Sequence, residues 1–353
     1  MHEKKNDLCN LKLIDKYNTN IQITDDKINF VKKIELITKE IENNKILSES
    51  DFFVLYNLGL PFSIRRKIWK FLIGNPCNIS KALYDTYVAQ VETVNFEAID
   101  IKYHEDVNEV FSCDFIINQM IIDIIKVKDL FLCELIDKKL EHNIVMSQTY
   151  RIIRTFFFIR NDVNYNKNIL SLIFIFLILG ENEFNTFLNI FNLICGTNSI
   201  KYLLGDEEYI KKCVLFFNEL IKKKLPRVYE HFKKLEITTE LYLIPWFEEI
   251  FTGTLSYKIL CRVLDLYLLN GDYILYQVGF TIIKIQEEEL LNLTISEVFK
   301  VLRRLPNKYK EEFVLENIKD SHDIKEKFFA WNKENILGEQ KNLLYQDFLE
   351  EEI

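Results

Sequence analysis

Side chains that could carry catalysis are present in this sequence, but few stand at the spacing that catalysis requires. There is no HExxH, no GxSxG and no phosphate-binding P-loop sequence, so a self-contained zinc hydrolase, serine hydrolase or nucleotide-binding site is not indicated. No two histidines have the spacing of metal ligands on one helix face, and we expect surface or singly hydrogen-bonded side chains and no metal site. The five histidines are His2, His104, His142, His231 and His322.

A series of short phrases in a fixed order is more informative than any single residue. Each phrase alone would be weak, because such combinations arise by chance in helical proteins. Their order and spacing from Gly59 to Phe299 argue against chance. In chain order the phrases are Gly59-Leu60-Pro61 with Arg65 and Trp69; Met120, Asp123 and Lys126; Asn164-Tyr165-Asn166-Lys167; Leu225-Pro226 with Tyr229 and His231; and Trp246-Phe247 with Phe251, Arg262, Asp265 and Gly271.

This series resembles the TBC domain family, whose members act on Rab-type small GTPases. The resemblance implies an all-α, two-lobed helical domain that binds the GTPase in a groove and inserts an arginine and a glutamine beside the nucleotide. Such a domain accelerates hydrolysis on its partner as an enzyme regulator and has no cofactor of its own, so the partner would carry GTP and magnesium. Arg65, Trp69, Asp123 and Tyr165 match supporting positions of the family.

Both positions that would carry the two inserted side chains are substituted. Lys126 stands at the arginine position, and a lysine keeps one positive charge but lacks the planar fork that bridges two phosphate oxygens. Lys167 stands at the glutamine position, and an ammonium group has no acceptor with which to orient the attacking water. We therefore expect a Rab-binding protein that regulates vesicle traffic, with weak or lost GTPase-activating ability.

Two alternatives stay open. The chain could be an active Rab GTPase-activating protein with a modified finger set, in which Lys126 or the GTPase's own glutamine completes the transition state. It could also be a helical interaction scaffold that has lost Rab binding, keeps only the fold and docks partners through the tail after Pro306. Separately from these alternatives, Lys126 and Lys167 could be solvated lysines on a groove rim without contact to phosphate. Displaced substitutes for the missing groups are disfavoured, because catalysis tolerates little misplacement. The candidate substitutes are Asn166, Asn168, Arg151, Arg154 and Arg160.

The remaining matched residues are expected to support the fold. We interpret Arg65 and Asp123 as buried or groove-lining members of hydrogen-bonded networks. The aromatic residues of the phrases are expected in the core, as aromatic residues at helical spacing usually are. These aromatic residues are Trp69, Trp246, Phe247 and Phe251.

Composition favours helices and argues against other classes of function. Only 9 glycines and 5 prolines interrupt 353 residues, which favours long helices. A net charge of −8 argues against nucleic-acid binding. Seven cysteines without a CxxC pair are typical of a reduced, cytosolic or nuclear setting, of which we expect the cytoplasmic one. The longest apolar run, Ile169 to Leu179, is about half of the roughly 20 residues of a spanning helix, so we expect a core helix and membrane association only through partners.

Periodicity divides the chain into three regions. Residues 1–50 are predicted as an N-terminal extension with one helix that begins near Lys27. Residues 51–305 are predicted as the TBC domain, with lobes of about 51–200 and 201–305, and residues 306–353 as a charged helical tail.

Local signals set the limits of individual helices. Ser63 is a plausible cap for a helix that ends at Gly74. Asp206 to Lys224 reads as one helix, because its acidic first turn and basic last turn match the helix dipole. Two apolar helices should flank Gly271, and tail helices from Glu311 onward could pack on the second lobe.

Overall fold

The computed structural model describes residues 62–93, 113–131, 141–162, 165–196, 207–305, 308–321 and 323–333, together with residues 33, 36, 37, 39, 40, 51 and 60. These residues form α-helices and no β-strand, which confirms the all-α prediction. The helices are α1 (Phe62–Ile73), α2 (Lys81–Thr93), α3 (Cys113–Leu130), α4 (His142–Ile159), α5 (Ile169–Ile178), α6 (Glu183–Cys195), α7 (Glu207–Lys224), α8 (Pro226–Lys234), α9 (Glu240–Glu248), α10 (Tyr257–Asn270), α11 (Tyr273–Lys284), α12 (Glu287–Leu290), α13 (Ile295–Arg303) and α14 (Glu311–Asp320).

Spatial proximity of Cα atoms divides the chain into two compact units, each made of two separate segments. Unit 1 comprises Met1–Tyr209 and Phe247–Gly271, and unit 2 comprises Ile210–Trp246 and Asp272–Ile353. The domain limits predicted from the sequence, at residues 50, 200 and 305, stay a prediction.

Helix α5 is the centre of unit 1. All ten of its residues are buried, and it packs against α3, α4 and α6. A helix that is apolar on every side can be accommodated only where neighbours surround it, so the predicted core helix is confirmed. Among the described residues, no helix is long and apolar enough to cross a membrane.

A buried carboxylate joins α1 to α10 within unit 1. Asp265 is fully buried and accepts hydrogen bonds from Arg65 Nε at 2.9 Å, Arg65 Nη2 at 3.1 Å and Trp69 Nε1 at 2.8 Å. Arg262 Nη1 lies 3.5 Å from the same carboxylate, and Arg65 Nη2 also donates to the carbonyl of Leu60 at 2.8 Å. The expected burial of Trp69 and the expected network around Arg65 are both present.

The pKa values of Asp265 and Arg65 depend on burial and on the charged and hydrogen-bonding groups around them. Burial raises the pKa of the Asp265 carboxyl, while the charge and hydrogen bonds of Arg65, the charge of Arg262 and the hydrogen bond of Trp69 act in the opposite direction. Burial alone would lower the pKa of the Arg65 guanidinium, but the charge and hydrogen bond of Asp265 outweigh burial and raise it. A buried charge is tolerated only when it is paired and hydrogen-bonded, so these partners let α10 bury an aspartate among apolar residues.

Aromatic packing organises unit 2. The Phe217 and Tyr242 rings pack edge to face with their centroids 6.3 Å apart, and the Tyr242 and Trp246 ring centroids are 5.3 Å apart. The Trp246 indole donates to the carbonyl of Leu302 at 3.0 Å. Trp246 is buried as predicted, and so are Phe247 and Phe251 in unit 1.

Residues 311–320 and 323–333, within the predicted charged tail, contribute helices to unit 2. Helix α14 packs against α11, and residues 323–333 are also helical. The ring of Phe328 contacts Phe216 of α7 at 5.7 Å and Tyr276 of α11 at 5.2 Å, while Lys224 pairs with Asp323 at 2.6 Å. The tail therefore adds apolar and ionic contacts to this unit.

Most helix limits agree with the sequence, with one correction. Helix α7 and the pair of helices flanking Gly271 lie where they were predicted. Ser63 is not the N-cap of α1, because the helix already begins at Phe62; shifts of one or two residues are common at helix ends, where N–H groups lack intrahelical partners. The helix predicted from Lys27 lies mostly outside the described residues. In that region the structure describes residues 33, 36, 37, 39 and 40, and these are helical.

Removing the charge of Asp265 should destabilise the fold strongly. Asp265→Asn leaves Arg65 and Arg262 without their buried counter-ion, and we expect a loss of about 3–5 kcal/mol in the free energy of unfolding. Urea titration followed by tryptophan fluorescence measures the loss. Asp85→Asn is the matched control, because Asp85 forms an exposed pair with Lys81 and its removal should cost less than about 1 kcal/mol. Equal losses in the two variants would contradict the structural role of the buried pair.

A methyl group added at Gly279 should also destabilise the protein. The new Cβ would lie 3.1 Å from Phe217 Cζ and 3.4 Å from Trp246 Cε3, and both rings are held by buried neighbours. Alanine normally stabilises a helix by about 1 kcal/mol relative to glycine, but overpacking costs about 1–3 kcal/mol. A lower thermal midpoint for Gly279→Ala is expected, and a higher midpoint would show that the rings can yield.

Candidate functional site

A buried aspartate connects the two segments that the sequence singled out. The side chain of Asp123 on α3 is almost fully buried. Its Oδ1 accepts a hydrogen bond from Gln119 Nε2 at 2.8 Å, and its Oδ2 accepts one from the Tyr165 hydroxyl at 3.2 Å. Tyr165 lies just before α5, so one hydrogen bond ties α3 to the segment that enters the core helix.

Local packing and turn chemistry place this second segment. The Tyr165 ring is buried and packs edge-on against Phe157 of α4 at 5.4 Å. Asn166 Oδ1 accepts a hydrogen bond from the backbone N–H of Asn168 at 2.9 Å, a local bond through which asparagine favours turns. The Leu170 N–H donates to the carbonyl of Lys167 at 3.0 Å. Lys167 therefore stands on a turn that leads directly into α5.

The two lysines lie on the solvent side of this arrangement. Lys126 follows Asp123 by one helical turn, its side chain is 69% exposed, and its Nζ lies 3.8 Å from Asp123 Oδ1. That separation is too long for a direct hydrogen bond. Lys167 is exposed. The geometry thus provides two exposed ammonium groups on segments that the Asp123–Tyr165 bond joins, while the assignment of Lys126 and Lys167 as finger positions stays a prediction.

The arginines that could have supplied a displaced guanidinium are engaged elsewhere. Arg151 forms a two-pronged pair with Glu183 at 2.9 and 2.6 Å. Arg160 forms a similar pair with Asp162, with both distances 2.7 Å. Arg154 Nη2 donates to the carbonyl of Val91 at 3.0 Å. Each would have to break these bonds to reach a ligand, which argues against such a replacement.

Two features of this region were not predicted from the sequence. Asp265 was matched to the family series without a role of its own, whereas it is the acceptor that binds Arg65 and Trp69. A carboxylate within the apolar run of α10 was the available signal, because a buried charge requires partners. The second feature is the exposed face of α3, formed by Ile121, Ile122 and Ile125, and no periodicity signals it because isoleucine also occupies position 124.

The part of the chain that the structure describes contains no candidate metal site. No group of three or more His, Cys, Asp or Glu side chains is placed there to hold an ion. The sequence-based expectation of no cofactor stays a prediction.

Solved structures with the same helical fold support this description. The TBC domain of a flagellar RabGAP from Chlamydomonas superposes with a TM-score of 0.61 at 17% identity, covering 87% of this chain and 98% of that domain. The Ypt/Rab-GAP domain of Gyp1p superposes with a TM-score of 0.61 at 14% identity, covering 85% and 99%. At these identities the likeness concerns the fold.

Sequence relatives extend the same likeness. TBC1 domain family member 12 of Xenopus tropicalis is 26% identical over 258 residues, which is 72% of this chain and 37% of the relative. Drainin of Dictyostelium discoideum is 20% identical over 293 residues, covering 74% and 66%. The chain spans a little over a third of the length of the TBC1 domain family relative.

A model of one family matches most of the region described above. The match to the Rab-GTPase-TBC domain covers residues 62–291. This range includes the Asp265 network, the Asp123–Tyr165 bond and both lysines. The chain therefore belongs to the Rab-GTPase-TBC domain family.

Proposed function

We propose that this protein binds a Rab-type small GTPase in its GTP-bound form and accelerates GTP hydrolysis weakly or not at all. The observation that carries the proposal is a contrast between the buried hydrogen bond that joins the two segments and the exposed lysines that stand on them. The Asp123–Tyr165 bond still joins the two segments, yet the exposed side chains on them are Lys126 and Lys167. Family membership and the structural neighbours, which are a RabGAP TBC domain and a Ypt/Rab-GAP domain, support the choice of partner.

Weak catalysis follows from the chemistry that the two lysines lack. An arginine supplied to the transferring phosphoryl group is worth roughly 10³–10⁵ in kcat, about 4–7 kcal/mol at 1.36 kcal/mol for each tenfold change. Lysine retains the charge but not the two-pronged geometry. At position 167 no acceptor remains to hold the attacking water. Binding energy can survive these changes, because it depends on the whole contact surface.

An active GTPase-activating protein is the second candidate, and one observation favours it. The Lys126 ammonium is exposed, and its Nζ lies 3.8 Å from Asp123 Oδ1. At this distance the ion pair with Asp123 is weak, so the ammonium could approach a ligand. An ammonium placed beside the phosphates would supply part of the electrostatic stabilisation. The GTPase's own glutamine would then have to orient the water.

The cellular setting follows from the same proposal. The protein would act in the cytoplasm on vesicle traffic and reach endomembranes through its GTPase rather than through a membrane segment of its own. GTP and magnesium would arrive with the partner. If binding experiments found no Rab partner, the remaining interpretation would be a helical scaffold without Rab binding.

Restoring the missing groups should restore catalysis. Lys126→Arg combined with Lys167→Gln is expected to raise hydrolysis by a cognate GTP-loaded Rab at least about tenfold over the parent protein, because both functions of the family site return. Single-turnover GTP hydrolysis across a panel of purified Rab proteins measures the gain. The matched control is Lys222→Arg with Lys233→Gln, two exposed lysines of unit 2. Unchanged hydrolysis with binding intact would show that the two positions do not limit catalysis.

Breaking the bond between the two segments should weaken binding. Tyr165→Phe removes the hydroxyl that donates to the buried Asp123 carboxylate while keeping the ring, so the free energy of unfolding should fall by about 1.5–3 kcal/mol. We expect a several-fold weaker affinity for the GTP-loaded Rab, measured by interferometry or calorimetry. Tyr87→Phe in the same unit is the control, since the Tyr87 ring packs on Phe158 at 6.2 Å. An unchanged affinity for Tyr165→Phe would contradict the positioning role of the bond.

A further inference from the structure

Two thiols with partial access to solvent stand near the C-terminal end of α6. Among the described cysteine side chains, Cys77 and Cys195 are half-buried, whereas Cys213 and Cys261 are buried. Cys195 is the last residue of α6, and Cys77 belongs to the turn that joins α1 to α2. Neither thiol belongs to the candidate functional site.

Backbone and side-chain contacts hold the Cys77 turn against α6. The Cys77 N–H donates to Asn192 Oδ1 at 2.9 Å. Asn192 precedes Cys195 by three residues, so these two side chains lie on the same face of the helix. Pro76 packs on the same helix end, because a Cβ added at Gly196 would lie 2.5 Å from Pro76 Cγ. The turn therefore brings Cys77 to the last turn of α6, where Cys195 stands.

A guanidinium group acts on both thiols. Arg160 Nη1 donates to Cys195 Sγ at 3.0 Å, while Arg160 Nε and Nη2 each bind the Asp162 carboxylate at 2.7 Å. The two-pronged pair with Asp162 fixes the plane of the guanidinium and leaves one N–H group directed at the sulfur. The charge of Arg160 also acts on the Cys77 thiol.

We propose that Cys195 and Cys77 are a redox-sensitive pair that hydrogen peroxide converts into a disulfide, with Arg160 stabilising the Cys195 thiolate. A thiolate beside an arginine at a partly exposed position is the form of cysteine that peroxide oxidises. A second cysteine that resolves the first oxidation product is a frequent feature of redox sensors. The inference does not depend on the proposed Rab binding.

The reaction balances with one molecule of hydrogen peroxide. The Cys195 thiolate attacks one peroxide oxygen, the O–O bond breaks, and the leaving hydroxide takes up the proton that the thiol released. This step gives a sulfenic acid and one water. The Cys77 thiolate then attacks the Cys195 sulfur, the S–S bond forms, and the S–O bond breaks with release of a second water. Two thiols are oxidised to one disulfide, and the peroxide is reduced to two waters.

The rate of this reaction depends on Arg160. Burial raises the pKa of the Cys195 thiol, and the charges of Cys77 and Asp162 act in the same direction. The charge and the hydrogen bond of Arg160 oppose that rise. Only a small fraction of Cys195 is therefore thiolate at neutral pH, and oxidation is proportional to that fraction. The pair should stay reduced at low peroxide and respond when peroxide rises.

The disulfide would join the turn after α1 to the end of α6. A disulfide that closes a long loop restricts the unfolded chain, so the oxidised protein should be the more stable form. Disulfides in reducing compartments are usually transient. Thiol–disulfide exchange with glutathione would restore the two thiols, which makes the modification reversible.

Peroxide treatment of the full chain, followed by thiol alkylation and peptide mass spectrometry, tests the pairing. We expect a linked peptide pair that contains Cys77 and Cys195, while Cys213 and Cys261 stay reduced because they are buried. The thermal midpoint should rise on oxidation and return after addition of dithiothreitol. In Cys77→Ser, the Cys195 sulfenic acid should persist and react with dimedone.

A pair of arginine variants tests the role of the guanidinium. Arg160→Gln should form the disulfide several-fold more slowly than the parent, because the positive charge beside Cys195 is lost. Arg227→Gln is the matched control and should react at the parent rate, since Arg227 is an exposed arginine of unit 2 that pairs with Glu288. Thermal midpoints of the reduced proteins show whether both variants are folded, and the mapping of the parent decides the pairing without any variant.

The other outcomes would overturn the inference. A disulfide between different cysteines or between two chains would show that Cys77 and Cys195 do not react with each other. Oxidation of Cys195 beyond the sulfenic acid without a bond to Cys77, or no oxidation of either thiol, would do the same. Equal rates for the two arginine variants would remove Arg160 from the mechanism. None of these results would affect the proposed Rab binding, which is measured separately.

Discussion

A carboxylate without access to water must be surrounded by donors, and unit 1 is built around meeting that requirement twice. Asp265 binds Arg65 and Trp69 of α1, which fixes α1 to α10. Asp123 binds Tyr165, which fixes α3 to the start of the core helix. Because an unpaired buried charge costs several kcal/mol, these contacts favour one arrangement of the helices over alternatives with similar apolar burial.

Asp123 belongs to the buried support of the candidate site, and the two lysines belong to its exposed surface. The groups that position α3 and the turn before α5 are buried, whereas Lys126 and Lys167 extend into solvent. Substitution of an exposed side chain costs little stability, so the tips of a site can change while its framework persists. The proposed function rests on this separation between a buried framework and exposed side chains.

Helices that depend on local chemistry could be predicted from the sequence, whereas contacts between residues far apart in the chain could not. The core helix α5 and the dipole-matched helix α7 followed from apolar run length and charge order. The role of Asp265 did not follow, because its donors on α1 are 196 and 200 residues away in the sequence. The outward face of α3 was equally hidden, since buried Ile124 stands among exposed isoleucines and only tertiary packing distinguishes them. Residue order also suggested which lysines occupy the finger positions, but whether they approach a phosphate depends on the partner.

The most direct measurement compares binding and turnover for the unmodified protein. Each Rab of a panel is titrated with it in the GTP-analogue form, and hydrolysis of GTP by the same Rab is followed with and without it. The account predicts at least one Rab that binds in the GTP form and hydrolyses GTP at close to its intrinsic rate. Strong acceleration of any Rab would contradict the proposed loss of activating ability, and absence of binding across the panel would contradict the partner itself.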